Sequence, residues 1–513
     1  MVKKEETAED ARKSPESNVE RLATGSEGFD RVLEGGFPAN RLYLVEGDPG
    51  TGKTTFALKF LLEGAARGET VLYVTLSETK EELKASAASH GWSLDALNIY
   101  ELVPTEESLK AESQYTIFHP SELELGETTS AVLAEVERIQ PRRVVFDSLS
   151  EMRLLARDPL RYRRQILALK QYFAGRRCTV ILLDDSTATI GDLQVQSIAH
   201  GVVELEHLAL DYGAERRRLR VVKLRGSKYR GGYHDFKIET GGIEVYPRLV
   251  AAEHQLTFKR EAVTSGIGQL DTLLGGGLDR GTSTLILGPA GSGKSSIAAQ
   301  FTSAAAARGE HAASFLFDEG LNNYLSRATG LGNEMSEAVK AGLLSIQQID
   351  PAELSPGEFA YYVRRSVDRD GARVVVIDSL NGYLQAMPDE RFLTVQMHEL
   401  LTYLNQQGVV TILVLAQHGF LGSNMGTPVD VSYLADTVLM LRFFEAGGAV
   451  RRAVSVVKKR TGFHENTIRE MRMSPAGITV GRPLADFHGV LTGVPTYRQD
   501  TAPLLEELAD ERT

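Results

Sequence analysis

An internal duplication constrains this chain more than any other feature of its 513 residues. The stretch TGSEGFDRVLEGGFPANRLYLVEGDPGTGKTT of the first half reappears as TSGIGQLDTLLGGGLDRGTSTLILGPAGSGKSS in the second half. Matching residues, such as Lys53 with Lys294 and Asp147 with Asp378, lie roughly 235 positions apart. A period of this length is too long for a solenoid, so it predicts two consecutive domains of ordinary size.

Short apolar runs alternate with longer helical patterns in each copy. The runs RLYLVEG, TVLYVTL, RRVVFDS and CTVILLDD in the first copy, and STLILG, AASFLFD, RVVVIDS and VVTILVLA in the second, are typical of buried strands. The segments TTFALKFLLEGAAR and SSIAAQFTSAAAAR predict helices. This alternation predicts an α/β fold in which each copy is a mainly parallel sheet flanked by helices.

The predicted domain organisation follows the repeat. It comprises a disordered charged tail over residues 1–19, a first copy over 20–247, a linker over 248–260, a second copy over 261–490 and a C-terminal tail over 491–513. No apolar run of about 18 residues and no apolar N-terminal signal occur in the sequence, so we expect a cytoplasmic protein that does not associate with membranes.

Composition narrows the classes of partner. The formal net charge of −11 argues against broad electrostatic attraction to nucleic acid, which draws its affinity from clustered Lys and Arg. Cys178 is the single cysteine, so the sequence excludes an intrachain disulfide and a cysteine metal site. Its apolar surroundings predict a role in strand packing.

Two segments, GDPGTGKT and GPAGSGKS, fit the phosphate-loop pattern G-x-x-x-x-G-K-[ST]. Glycines let the backbone N–H groups face the phosphates, the lysine reaches the terminal phosphates, and the hydroxyl binds magnesium. ATP and Mg²⁺ are therefore the predicted cofactors. The candidate nucleotide-binding residues are Gly47, Gly50, Thr51, Gly52, Lys53, Thr54 and Thr55, and in the second copy Gly288, Gly291, Ser292, Gly293, Lys294, Ser295 and Ser296.

An aspartate ends a predicted buried strand downstream of each phosphate loop, Asp147 in VVFDS and Asp378 in VVVIDS. Such a carboxylate can hold magnesium through its water shell, together with the hydroxyls of Thr54 and Ser295. The alternative is that the aspartate merely starts a loop. The presence of the pair in both copies favours a magnesium site.

Catalysis also needs a group that orients or deprotonates the nucleophile. The candidates follow the second strand of each copy: Glu78 in TLSETKEEL, and Asp318 with Glu319 in FLFDEGLNN. An ordinary helix N-cap or first-turn charge is the alternative.

A basic motif occurs late in each copy, VVKLRG with Lys223 and Arg225, and VVKKRTG with Lys458 and Arg460. Strand alternation places the two basic residues on one side, where they could reach a phosphate held by a neighbouring subunit. The alternative is an exposed edge strand protected by lysines.

Together these motifs, the TG-x-x-x-x-D segments and the block RRAVSVVKKRTGFHENTIREMRMS resemble the KaiC family, the double-domain ATPases and autokinases of the cyanobacterial clock, within the RecA and DnaB-like superfamily. The resemblance covers about residues 20–505. It implies a homohexameric double ring in which a neighbouring subunit contacts each ATP. The residues implied to bind ATP in this way are Lys223, Leu224, Arg225, Ser227, Lys458, Lys459, Arg460 and His464, and Arg452 is a further candidate ATP-binding residue.

The resemblance also implies that the second copy phosphorylates itself on an adjacent Ser-Thr pair. VDVSYLADTV places Ser432 and Tyr433 at that pair, with Thr427 as a secondary site. A tyrosine hydroxyl extends farther from the backbone than a threonine hydroxyl, so ordered two-site phosphorylation is not expected. The paired glutamates of the family are altered too, to Ser77 with Glu78 and to Asp318 with Glu319.

The tail ADFHGVLTGVPTYRQD resembles the loop through which the family is regulated, so KaiB-like proteins or histidine kinases and response regulators are the candidate partners. The expected function is an ATP-hydrolysing, self-phosphorylating hexameric signalling or timing switch. Two alternatives stay open: a nucleotide-gated scaffold without autokinase activity, and a DNA recombinase or helicase motor, which the acidic balance disfavours.

Overall fold

The computed structural model describes residues 19–102, 120–156, 158–185, 194–210, 212–385, 393–417, 434–491 and 496–497. The chain divides into two compact units, with the change from the first to the second between Arg248 and Leu249. Each unit is described by itself below. Among the helices of the described ranges, none is both long and apolar enough to cross a membrane.

The first unit holds one large sheet with helices on both faces. Its strands are β1 (Arg21–Leu22), β2 (Phe37–Pro38), β3 (Leu42–Gly47), β4 (Val71–Thr75), β5 (Asn98–Glu101), β6 (Arg143–Asp147), β7 (Thr179–Asp185), β8 (Gly201–Leu208), β9 (Arg216–Leu224), β10 (Tyr233–Glu239) and β11 (Gly242–Tyr246). Its helices are α1 (Glu27–Val32), α2 (Lys53–Ala66), α3 (Lys80–Ser89), α4 (Pro120–Ile139), α5 (Leu149–Ala156), α6 (Pro159–Ala174) and α7 (Gln194–Ile198).

The second unit has a similar element order. Its strands are β12 (Ala262–Val263), β13 (Leu278–Asp279), β14 (Ser283–Gly288), β15 (Ala312–Leu316), β16 (Leu344–Gln348), β17 (Val374–Asp378), β18 (Val410–Ala416), β19 (Thr437–Ala446), β20 (Ala449–Lys459), β21 (Ile468–Ser474), β22 (Gly477–Pro483), β23 (Phe487–His488) and β24 (Thr496–Tyr497). Its helices are α8 (Gly268–Leu273), α9 (Lys294–Ala307), α10 (Leu321–Gly330), α11 (Ser336–Lys340), α12 (Pro356–Asp368), α13 (Leu380–Gln385) and α14 (Leu393–Gln406).

The two large sheets have the same topology. The strand order is β11-β10-β9-β8-β3-β7-β6-β4-β5 in the first unit and, read from the matching edge, β22-β21-β20-β19-β14-β18-β17-β15-β16 in the second. Six strands of each sheet are parallel, and the last three at one edge are antiparallel. The predicted fold class, two tandem mainly parallel α/β domains, is confirmed.

Alternation along the central strands supplies a core on each face of the sheet. In β3, Tyr43 and Val45 pack with Phe56 of α2, whereas Leu44 packs on the opposite face with Ile166 of α6. Strands buried on both faces are apolar throughout, which is why they appear as continuous runs in the sequence. Because the strands are parallel, their carboxyl ends meet at one edge, and the functional residues gather there.

Cys178 is buried immediately before β7, and burial raises the pKa of its thiol to about 12. The predicted packing role of this residue agrees with that position. Residues Ala251–Glu253, which belong to the predicted linker, form a short 3-10 helix, and Ala251 packs into the core of the second unit. Residues 1–18 of the predicted tail over residues 1–19 lie outside the described residues.

Candidate nucleotide-binding sites

The first phosphate loop connects β3 to α2. Gly47 must be glycine because a Cβ there would lie 2.5 Å from the Leu205 carbonyl oxygen of β8. Gly52 caps α2 with a φ of 98°, a left-handed conformation that suits glycine. Thr51 is fully buried and donates a hydrogen bond of 2.8 Å to the Asp48 carbonyl oxygen. The loop is thereby held in a tight curl at a helix N-terminus, the arrangement that binds phosphate.

Lys53 points into this curl. Its Nζ donates to the carbonyl oxygens of Gly47 at 2.7 Å and of Asp48 at 3.0 Å. The same Nζ lies 2.8 Å from Oδ1 of Asp185, the last residue of β7. The lysine charge is therefore held at the mouth of the loop by a carboxylate from the neighbouring strand.

Thr54 and Asp147 meet as the motifs predicted. The Thr54 hydroxyl donates to Oδ2 of Asp147 at 2.9 Å, and the Tyr73 hydroxyl donates to the same oxygen at 2.5 Å. Burial raises the pKa of Asp147, and these two hydrogen bonds act against that rise. Thr55, the next residue, faces the other way, with Oγ1 3.4 Å from Nε2 of His90.

The second phosphate loop has the same construction. Gly291 and Gly293 have positive φ values, and the buried Ser292 donates to the Pro289 carbonyl oxygen at 2.8 Å. Lys294 donates to the same carbonyl oxygen at 2.8 Å. A Cβ at Gly288 would lie 2.7 Å from the Leu441 carbonyl oxygen, which matches the close approach at Gly47.

The hydroxyl and carboxylate predicted to bind magnesium in the second copy also contact each other. A side-chain hydrogen bond joins Ser295 to Asp378, whose pKa is raised by burial and lowered in part by that bond. Burial lowers the pKa of Lys294, and the charge of Asp378 acts in the opposite direction. Arg327 of α10 donates to the Ser296 hydroxyl at 3.1 Å.

Glu78 lies in the turn between β4 and α3. Its backbone N–H and carbonyl are both held by the hydroxyl of Thr75, at 3.0 and 2.7 Å. The helix N-cap is Thr79, so the alternative of Glu78 as an N-cap or first-turn charge is wrong. Burial raises the pKa of the Glu78 carboxyl, and the charges of Asp147 and Glu82 add to the rise. Within the described ranges the carboxylate has no hydrogen-bond or ion-pair partner.

The matching turn of the second copy is held differently. Arg327 binds Glu319 through two hydrogen bonds, Nε to Oε1 at 3.3 Å and Nη2 to Oε2 at 2.6 Å. The hydroxyl of Ser379 donates to Oδ2 of Asp318. Gly320 is the N-cap of α10, so Glu319, like Glu78, precedes the helix. Both acidic candidates in this copy are therefore engaged by side chains of their own copy.

The donor sets fit magnesium and a nucleotide phosphate. Magnesium prefers oxygen ligands, and each copy offers one hydroxyl and one buried carboxylate that already contact each other. The curled loop and its lysine supply the N–H groups and positive charge that phosphate requires. Nothing in this geometry conflicts with the predicted cofactors.

Comparison with known proteins identifies the family. The family model described as "ATPase: KaiC" matches this chain twice, at residues 22–250 and 263–485. The chain belongs to the KaiC family of ATPases. It is similar to the circadian clock protein KaiC3 of Synechocystis sp., with 26% identity over 501 residues that cover 96% of this chain and 98% of the relative.

Two further relatives are circadian clock oscillator proteins named KaiC. The protein of Acaryochloris marina is 27% identical over 483 residues, which cover 93% of this chain and 92% of the relative. The protein of Synechococcus elongatus is 26% identical over 494 residues, which cover 94% of each chain. The similarity to KaiC proteins therefore extends over both copies.

The first basic motif ends β9, an interior strand between β8 and β10, so the edge-strand alternative is wrong. The Lys223 Nζ donates to the Gln196 carbonyl oxygen, and Arg225 donates to the Ser197 carbonyl oxygen at 2.8 Å. Both side chains thus turn toward α7. A β-bulge at Val222 precedes them, which the sequence did not predict.

The second basic motif repeats this arrangement in β20, which lies between β19 and β21. Lys458 donates to the Ala435 carbonyl oxygen at 2.8 Å, and Arg460 lies 3.5 Å from Oδ1 of Asp436. Arg452 of the same strand donates to the carbonyl oxygen of Gly291 in the phosphate loop at 3.3 Å. Arg452 is thus placed beside the loop of its own copy.

Two residues that the KaiC resemblance implies at a neighbour's ATP are buried in their own copy. Leu224 is 6% exposed and belongs to the core. The Lys459 side chain is 3% exposed and donates to the Leu274 carbonyl oxygen at 2.7 Å. Their side chains therefore serve their own fold. Ser227 and His464 lie half-buried in the loops that follow β9 and β20.

Three residues at the sites escaped sequence analysis: Asp185, Tyr73 and Arg327. Asp185 was visible as the final aspartate of CTVILLDD, a charged end on a buried strand beside the phosphate-loop strand. Tyr73 and Arg327 carried no comparable signal, because each reaches its partner through the fold. The predicted phosphosite residues Thr427, Ser432 and Tyr433 lie outside the described residues.

Proposed function

We propose that both copies bind Mg-ATP and hydrolyse it. The observation that carries this proposal is the pairing of each phosphate-loop hydroxyl with an aspartate at the end of a parallel strand of the same sheet, Thr54 with Asp147 and Ser295 with Asp378. Such a pair beside a phosphate-loop lysine is what nucleotide hydrolysis requires. Family membership supports ATP as the nucleotide.

In this mechanism the chain supplies position and charge. Lys53 and Lys294 stabilise the negative charge on the terminal phosphate, and Glu78 and Glu319 orient the attacking water and accept its proton. Magnesium, when bound, would neutralise charge on the phosphate oxygens. Lys223 with Arg225, and Lys458 with Arg460, would complete each site from the neighbouring subunit of a homohexamer.

Comparison of four chains tests hydrolysis: the wild type, Lys53→Ala, Lys294→Ala and the double variant. We expect phosphate release to fall in each single variant and to vanish in the double variant. Lys84→Ala, an exposed lysine on α3, is the matched control and should behave as the wild type. Unchanged release in the double variant would contradict the proposal.

The finer role that we propose is a hexameric signalling or timing switch in which the second copy, over residues 261–490, phosphorylates Ser432. The support is the family resemblance and the phosphate loop of that copy. Mass spectrometry after incubation with Mg-ATP tests it. Phosphate on Ser432 that disappears in Lys294→Ala would support autokinase activity. No phosphate over residues 427–433, with ATP still hydrolysed, would refute it.

A second candidate function, a nucleotide-gated scaffold, is favoured by one contact. The ion pair between Arg327 and Glu319 engages the carboxylate that hydrolysis in the second copy would use. Light scattering with and without ATP distinguishes the candidates when combined with turnover. A hexamer that requires ATP but hydrolyses it negligibly supports the scaffold.

A further inference from the structure

Among the residues that the structure describes, a carboxylate forms an ion pair with the phosphate-loop lysine in the first copy and not in the second. Asp185 ends β7, and Gly47, where the phosphate loop begins, is its register partner on β3. Its Oδ1 lies 2.8 Å from the Lys53 Nζ, and its Oδ2 accepts a hydrogen bond of 2.7 Å from Ser150. The preceding Asp184 pairs with Arg153. Asp185 is therefore fixed at its backbone, at its carboxylate and through its neighbour.

The second copy has an uncharged residue at the matching strand position. The register partner of Gly288 on β18 is Ala416, which carries no charge. Ser150 is replaced there by Asn381, which bonds the backbone of Ala416, with its Oδ1 2.7 Å from the Ala416 nitrogen. Within the described part of this copy, no carboxylate forms an ion pair with Lys294. The two phosphate loops thus differ by one counter-ion.

That counter-ion competes with a nucleotide. A terminal phosphate and the Asp185 carboxylate need the same lysine ammonium group, so binding one requires weakening the other. Burial acts to raise the pKa of Asp185, but hydrogen bonds from Lys53 and Ser150 outweigh it and lower the pKa. Asp185 is therefore negatively charged at neutral pH and repels a phosphate placed beside the lysine. The repulsion is greater for ATP than for ADP, because the lysine reaches the terminal phosphates.

We propose that Asp185 is a specificity-determining residue of the first copy, which holds Lys53 and lowers the preference of this site for ATP over ADP. The inference rests on the proposed binding of ATP at this loop. It assigns to the second copy the stronger preference for ATP, since Ala416 replaces the aspartate there.

The experiment uses the full chain with Lys294→Ala, so that binding reports on the first copy. Fluorescent ATP and ADP analogues are titrated into this chain and into the same chain with Asp185→Asn. We expect ATP affinity to rise about fivefold in Asp185→Asn, with a smaller change for ADP. Asp95→Asn, an exposed aspartate of the same unit, removes an equal charge and should change neither affinity.

Other outcomes separate the two proposals. No ATP binding in the Lys294→Ala chain beyond that of the Lys53→Ala, Lys294→Ala double variant would refute nucleotide binding by the first copy. Equal ATP affinities with and without Asp185→Asn would overturn the proposed role of Asp185 and leave nucleotide binding by the first copy intact. Weaker ATP binding by Asp185→Asn that occurs only with Mg²⁺ present would do the same. The latter result would identify Asp185 as a magnesium ligand instead.

The reciprocal change tests the same idea in the second copy. Ala416→Asp, made in a Lys53→Ala chain, places a carboxylate at the position that Asp185 holds in the first copy. We expect ATP affinity to fall by about fivefold, and more than ADP affinity. Ala416→Asn is the uncharged control, and an equal loss with Asn would show that the position tolerates no larger side chain and would contradict a charge effect.

Discussion

The two copies share one fold but distribute charged partners in opposite ways. In the first copy the phosphate-loop lysine, Lys53, is paired with Asp185, whereas the Glu78 carboxylate has no partner among the described residues. In the second copy Lys294 has no such ion pair in the described ranges, whereas Glu319 is bound by Arg327. One copy thus restrains the group proposed to bind phosphate, and the other restrains the group proposed to activate water.

The difference arises from two side chains on an otherwise common frame. Asp185 corresponds to Ala416, and Arg327 corresponds to Ser86 in the matching helix. Each change leaves strand order and phosphate-loop geometry intact. The two copies of a duplicated domain can therefore differ in the charges around a common site without any change of fold.

The largest expected effect concerns Glu78, the carboxylate proposed to activate water in the first copy. Glu78→Gln in a Lys294→Ala chain should lower the turnover of the first copy by about 100-fold, because the amide cannot accept a proton. ATP affinity should be nearly unchanged, since Glu78 is proposed to act on water. Steady-state phosphate release and nucleotide titration measure the two quantities. Equal losses of turnover and of ATP affinity would show that Glu78 contributes to nucleotide binding. That result would contradict the proposed difference between the two copies.

The pH dependence of the first copy follows from the environment of Glu78. Its pKa is raised by burial and by Asp147 and Glu82, and a general base works only when deprotonated. Turnover should therefore fall as the pH decreases through that raised pKa, by up to about tenfold per pH unit. A pH profile of the Lys294→Ala chain measures this. Retention of the same profile by Glu78→Gln would assign the titration to another group.

Removing the ion pair between Arg327 and Glu319 should make the second copy more like the first in turnover. Arg327→Ser, in a Lys53→Ala chain, gives the second copy the residue that the first copy has at Ser86. We expect second-copy turnover to rise about threefold, since the ion pair is partly solvent-exposed and modest in strength. Arg308→Ser, a surface arginine of the same unit, is the control. A fall in turnover would mean that Arg327 positions Glu319 productively.

The smallest effect concerns stability. Glu46 of β3, where the second copy has Leu287, has its pKa raised to about 7, first by burial and then by Glu204 and Asp184. The pKa of Glu46 in the folded state exceeds its unfolded value of 4.5. Its contribution to the free energy of unfolding is therefore fully present below pH 4.5 and is lost as the pH rises through about 7. In Glu46→Gln the free energy of unfolding should decrease with rising pH by about 1 kcal/mol less than in the wild type.

Hydrogen exchange of β3 amides at pH 5 and pH 8 measures this term within the first unit. The wild type should show weaker protection of β3 at pH 8 relative to pH 5 than Glu46→Gln does, after correction for intrinsic exchange rates. Identical protection ratios in the two chains would contradict a buried charge at Glu46. The second unit, which has leucine at this position, supplies an internal reference.

Much of the architecture was predictable because it depends on local patterns. The duplication, the apolar runs of the parallel strands and the glycine spacing of the phosphate loops each leave a signature in consecutive residues. The pairing of Thr54 with Asp147 was also predictable, because parallel strands bring their carboxyl ends to one edge of the sheet. Whether these residues bind ATP and magnesium stays a prediction.

Sequence patterns could not predict the irregularities of the strands or which of their lysines are buried. Val222 forms a bulge opposite β8, and Lys459 is buried against the turn at Leu274, neither of which strand alternation anticipates. These features depend on residues far apart in the chain, whose approach is set by how strands pair and helices pack.

The sequence by itself determined that the chain has two copies of a KaiC-type phosphate-loop domain, because the fold and its glycine-rich turns are encoded in local periodicity and short motifs. Only the tertiary structure decided that Asp185 holds Lys53 and that Arg327 holds Glu319. Each of those contacts joins side chains from different elements, and electrostatic pairing acts over a few ångströms of space and not along the chain.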